Sequence, residues 1–270
     1  MTTTAHPFAL AEPGDVPLAS SPLVKTLAQI RLPQPTAFMT DQDAVAVQVA
    51  KLLADFYPVF ETGQEAQLTI TPNGVTQQQS ATRLWRLANA DTSWQVTFGP
   101  NFLAVETSTY VRRSDFATRL NDAWMALRSV VSVPYISRLG VRYINQVSDS
   151  TTLERLPDLV RPEILGVSGL RDETFEILSS LTEAQYRFPE DAGFNARWGF
   201  LPPQQNLGVD ITEFNHSTWV LDTDSFREWA SGGFTGNDLE GEVKNLALRG
   251  YQFFRWAVTD EALRTFGAEL

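Results

Sequence analysis

The chain has 270 residues, 43% of them hydrophobic and 20% charged, with a formal net charge of −11 and no cysteine. That balance suits a globular protein with a sizeable core. The missing thiol excludes disulfides, cysteine nucleophiles, iron–sulfur clusters and cysteine-based zinc sites. The acidic excess argues against a broad nucleic-acid surface, which needs clustered Lys and Arg.

Residues 1–21 are rich in Thr, Ala, Pro and Ser and show no period, which reads as a disordered tail. They also lack the basic start and apolar run of a signal peptide, and no stretch reaches the ~20 apolar residues of a membrane helix. A cytoplasmic protein without membrane partners is therefore expected. Order begins near Leu23, where LVKTLAQIRLP reads as a strand closed by Pro33 and Pro35. Thr40 and Asp43 then have the spacing of a capping box. Val45, Val49, Leu52, Leu53 and Phe56 form the stripe of the helix that follows, and Pro58 ends it. A meander comes next: EAQLTITP, a tight turn at Asn73-Gly74, TRLWRLAN and SWQVTFG.

The stretch from Phe102 to Val147 reads as strand, helix, strand. FLAVETSTY is β-prone. Phe116, Leu120, Ala123, Trp124, Leu127, Val130 and Val131 recur at helical spacing, with Ser114 at the N-cap and Asp115 in the first turn. In YISRLGVRYINQV, Leu139, Val141, Tyr143 and Val147 share one face, while Arg142 and Gln146 point to the other. From 149 to 179 the apolar residues are interrupted by Pro157, Pro162 and Gly166, so this reads as a connecting segment with short helical pieces. TEAQYRF, NARWGFLPP, LGVDITEF and STWVLDTDSFREW are then expected as strands. A long helix follows from about Asp238 to Ala257, and Thr259 caps a short last one.

The resulting expectation is an α+β fold of antiparallel sheet with helices packed on one face. It comprises a tail (1–21), an N-terminal half (22–148), a connector (149–179) and a C-terminal half (180–270). The halves show the same order of meander then helix, and FLAVETSTY laid on WVLDTDSF puts Glu106 on Asp222 and Thr107 on Thr223. An internal duplication is one reading of that match.

Asp222 and Asp224, two apart on a strand, project from one face, as a divalent-metal site requires, and Asp210 and Glu213 lie on the preceding segment. Spacing fixes no third ligand, so the favoured reading is a solvated sheet face. Of the two histidines, His6 lies in the tail and His216 in the Asn215-His216-Ser217 turn, and no G-x-S-x-G elbow accompanies them. No catalytic residues, metal or cofactor are expected. Residues 231–236 are glycine-rich, but they lack the lysine of a phosphate loop and precede Asp238 and Glu240, so they read as a mobile loop. Most of the seven tryptophans read as core. Arg142 reads first as the ion-pair partner of Glu106 on a neighbouring strand, and second as a guanidinium facing a ligand carboxylate. The candidate ligand-binding set is therefore Arg142, Glu106, Asp222 and Asp224.

The segments PLVKTLAQIRLP, WQVTFGPNFLAVETSTYVRRSDFATRL, RLGVRYINQV, WVLDTDSF and FFRWAVTDEAL resemble, in order and spacing, a sporadically distributed family of uncharacterised bacterial proteins. The resemblance runs from Pro22 onward and carries over no site residues. It implies a bacterial cytoplasmic protein, patchily inherited as accessory and defence-related genes often are. The order of strands then helix also loosely resembles the SecB-type export chaperone, an analogy of fold only. The function expected is a non-catalytic, protein-binding accessory component, antitoxin-like or chaperone-like, with a protein partner and homo-oligomerisation in view. The alternative is a small-molecule or divalent-metal-dependent enzyme or receptor using the acids of the C-terminal half.

Overall fold

A computed structural model describes residues 6–9, 13–71, 74–170, 174–175, 177–205, 211–230 and 232–269, with side chains left undescribed at 39, 65–71 and 74–81. The elements run β1 (Leu23–Arg31), α1 (Ala37–Thr40), α2 (Gln42–Leu53), β2 (Val59–Thr71), β3 (Gly74–Ala88), β4 (Trp94–Gly99), β5 (Phe102–Thr107), α3 (Arg113–Val130) and β6 (Arg138–Val147). Three short helices follow, α4 (Ser150–Glu154), α5 (Leu156–Leu159) and α6 (Pro162–Leu165), and then a 3-10 turn at Gly166–Gly169. The chain closes with β7 (Ser180–Phe188), β8 (Ala192–Leu201), β9 (Thr218–Glu228), α7 (Leu239–Ala257) and α8 (Asp260–Thr265). The fold is α+β, with one nine-stranded antiparallel sheet in the order β2-β3-β4-β5-β1-β6-β9-β8-β7. The connector expected at 149–179 holds short helical pieces, as its prolines dictate.

Local physics shifts several boundaries. Asp41, and not Thr40, caps α2, accepting from the Ala44 amide at 3.0 Å, while Asp43 pairs with Arg83 at 2.7 Å. Val45, Val49 and Leu53 are buried, but Leu52 lies on the helix's exposed side and Phe56 follows its end at Leu53, and both face solvent. α3 begins one residue before Ser114, and its N-cap, Arg112, makes no side-chain cap bond. Thr259 caps α8 as expected, accepting from Ala262 at 3.2 Å. Ile211–Phe214, expected as part of a strand, is not in one; the Phe214 carbonyl instead accepts from the Gln204 amide at 2.8 Å. Asn73 lies outside the described residues.

The chain divides into two compact units. One comprises Leu27–Gly140 with Arg227–Val243. Its core stacks Phe38, Trp85 and Phe98, with centroids 6.0 and 5.8 Å apart, and Arg119 lies 4.3 Å over the Trp94 ring. The glycine-rich stretch, expected to be mobile, is anchored here over its described residues. Phe234 stacks on Trp229 at 4.5 Å, and its carbonyl accepts from Ile136 at 2.8 Å. Gly236 has φ +76°, and a Cβ there would meet Trp124 Nε1 at 2.5 Å, so no other residue fits that close approach.

The other unit comprises Met1–Thr26, Val141–Phe226 and Lys244–Leu270. Its core gathers Val147, Leu156, Ile164, Phe194, Trp198, Trp219 and Leu221 under Phe253 and Ala257 of α7. Gly250 lets α7 lie close: a Cβ there would sit 2.7 Å from the Tyr143 ring. Where composition predicts a disordered tail, residues 6–9 and 13–20 lie against this unit. The Phe8 ring meets Tyr186, Phe188 and Phe194 edge-on at 5.2, 5.0 and 5.1 Å. The Tyr251 hydroxyl donates to the Gly14 carbonyl at 2.9 Å and accepts from the Val16 amide at 3.1 Å. One aromatic ring with several ring neighbours outweighs the ordering entropy that a polar tail could not meet. Five tryptophans (85, 94, 124, 198 and 219) are buried.

Candidate functional site

Alternation along β9 turns Trp219, Leu221 and Thr223 to one face and Val220, Asp222 and Asp224 to the other. On that second face Val220 packs with Ile144 of β6 and Leu201 of β8, with Val24 and Ile211 beside them. Asp222, next along, stands among the neighbouring strands' basic residues. Arg142 of β6 donates through Nε to Oδ1 at 2.8 Å and through Nη2 to Oδ2 at 3.0 Å. Arg197 of β8 donates to Oδ2 through Nε at 3.1 Å and Nη2 at 2.7 Å. The carboxylate is 4% exposed, against 19% for the Arg142 side chain and 36% for Arg197. Both carboxylate oxygens are thus committed to planar donors, which is how a buried acid escapes its desolvation penalty.

Of the three members Arg197 is the most exposed. A divalent cation at Asp222 would have to displace two guanidiniums, which this geometry disfavours. Asp224 lies two residues further along the same face and is half-exposed. Asp210 lies outside the described residues, and among the described residues no group of three or more His, Asp or Glu is placed to hold a metal ion.

Arg142 and Asp222, taken separately in the sequence reading, are therefore one site. The expected Arg142–Glu106 pair is replaced by Arg142–Asp222. Glu106 lies on β5 opposite Gln95, and in the strand order β1, from the start of the chain, stands between β5 and β6. Arg197 was missed. A lone arginine within the apolar run of β8 is the signal that pointed to it, because such a charge needs a partner on an adjacent strand. His216 Nε2 lies 2.8 Å from the Ser148 carbonyl, a loop contact.

A second feature of the same unit is apolar. Val167, Leu170, Phe175, Leu178 and Leu181 are each between 50% and 59% exposed, save Leu181 at 47%. They fall within fifteen residues leading into β7, an outermost strand of the sheet. Monomer surfaces commonly scatter such side chains singly, whereas here five follow closely along the chain. Between 163 and 183 the sequence sets Glu163, Asp172, Glu173, Glu176 and Glu183 against Arg171 alone. By sequence, the apolar residues here are interspersed with acids.

No family model and no curated protein matches the chain. Among the described residues no helix is long and apolar enough to cross a membrane.

Proposed function

We propose that the protein is a non-catalytic, protein-binding accessory component, antitoxin-like or chaperone-like, whose docking face is the Val167–Leu178 stretch. The exposure of Val167, Leu170, Phe175 and Leu178 within twelve residues carries this reading. The partner it fits presents apolar side chains ringed by basic ones, since the surrounding sequence is acidic. The test is affinity capture of the tagged full chain from its native cells, with native mass of the eluate, for the wild type and for Leu178→Glu. The expected result is one basic protein at fixed stoichiometry, lost with Leu178→Glu while the circular dichroism spectrum is kept. A partner retained by Leu178→Glu, or a chain that returns alone, refutes the reading.

The alternative, a small-molecule receptor at Arg142, Arg197 and Asp222, is favoured by one observation: the Arg197 guanidinium that holds Asp222 is itself a third exposed, within reach of a guest. Its guest would be a carboxylate or phosphate bound by Arg197. Chelator-insensitive binding of such an anion, abolished by Arg197→Gln, separates this reading from the first.

A further inference from the structure

The outer edge of β7 is a distinct surface from the Val167–Leu178 stretch. β7 pairs with β8 on one side only, from Ser180↔Phe200 to Phe188↔Ala192, and ends the strand order. Among the described residues no backbone hydrogen bond reaches its other side. Its amides and carbonyls there are a template for another strand. Even-numbered residues Ala184, Tyr186 and Phe188 are half-buried, the last two against Phe8. Odd-numbered Leu181, Glu183, Gln185 and Arg187 are exposed.

Charges that keep an edge solitary are of one sign or point inward. Here they are of opposite sign and four residues apart, which matters because an antiparallel strand meeting its own copy obeys a twofold axis. With the axis at Gln185, Glu183 stands opposite Arg187 of the partner subunit, and Arg187 opposite Glu183 of the partner subunit. The same register sets Ala184 opposite Tyr186 of the partner subunit. Moving the axis one residue either way, to Ala184 or Tyr186, leaves both charges without opposite partners. Within one chain Glu183 accepts only from the Gln185 amide, at 3.0 Å, among the hydrogen bonds described.

We infer that β7 is a homodimer edge, pairing antiparallel with β7 of a second copy in the register that joins Glu183 to Arg187. The occupant is chosen by self-complementary charge, with main-chain hydrogen bonds supplying the affinity. The sheet then continues across the twofold, and each dimer presents two Val167–Leu178 stretches.

Sedimentation equilibrium of the full chain tests this, for the wild type, Glu183→Arg, Arg187→Glu and the double reversal. The wild type is expected to dimerise. Either single reversal puts like charges opposite each other twice, so the dimer dissociation constant should rise on the order of tenfold to a hundredfold. The double reversal should restore dimerisation. Leu178→Glu should leave the dimer intact, so loss of a captured partner and loss of self-pairing are read separately. A monomeric wild type, a dimer indifferent to the single reversals, or a double variant no better than the singles overturns the inference. Two opposite single reversals are included so that a folding defect in one is not mistaken for the effect.

Discussion

Replacing Asp222 by asparagine keeps the side chain's shape and removes the carboxylate charge that Arg142 and Arg197 share. Breaking a buried ion pair from one side costs about 3–5 kcal/mol, because the charge left behind has lost both water and partner. Here the two cations are unequal. The Arg142 side chain is 19% exposed and regains little hydration, whereas Arg197, at 36%, regains more. Solvent screening at the more exposed Arg197 brings the cost below that range, to about 2–3 kcal/mol. In a chain of this size that corresponds to roughly a 5–10 °C fall in melting temperature. The assay is thermal unfolding by circular dichroism of Asp222→Asn, Arg142→Gln, Arg197→Gln and the double variants. Arg142→Gln should cost more than Arg197→Gln, and Asp222→Asn should cost less once either arginine is gone, since fewer cations are then stranded. An Asp222→Asn variant that melts within about 1 °C of wild type would refute the reasoning, by the same scaling. So would a cost for Asp222→Asn unchanged by the loss of both arginines.

Phe8→Ala should lower stability by about 1–2 kcal/mol, less than a fully buried Phe→Ala because the ring is only half-covered. It should also open Tyr186 to water. Burial raises the Tyr186 phenol above its ordinary 10.0, so a phenolate absorbance titration of the variant should move down toward that value, and an unmoved titration would sink the contact. Asp149 caps α4 by accepting from the Thr152 amide at 2.9 Å, and bonds to Thr152 hold its carboxyl below the ordinary 3.8. A carboxylate whose pKa is depressed by folding adds stability that is complete above the unfolded value of about 3.9 and is lost as pH falls through the folded one. The melting temperatures of wild type and Asp149→Ala should therefore differ at neutral pH and converge in acid. An equal gap at both would mean that the cap bond is not the cause.

The sequence was legible wherever the deciding interactions are local. The α3 stripe, the Thr259 cap and the short helices forced by Pro157 and Pro162 depend on neighbours three or four residues away, and each lies where the period or the cap chemistry put it. The stripe of α2 was drawn too wide, since Leu52 within the helix and Phe56 beyond its end are both exposed; spacing alone cannot tell an exposed apolar residue from a buried one. Ile211–Phe214 looked like a strand by composition, but a strand needs a partner with free ladder positions, and that is not a local property. The same distinction governs the site. Arg142 was rightly marked as a charge in need of a partner, yet which carboxylate it finds depends on strand order. A strand from the start of the chain, β1, takes the place beside β6 that the nearby β5 was expected to fill. With β9 on its other side, β6 brings Arg142 to Asp222, and β8 then delivers Arg197 to the same carboxylate. A sheet whose neighbours are not consecutive in sequence hides its polar clusters from any reading by proximity, and in this chain the hidden cluster is the one that buries a carboxylate between two guanidiniums.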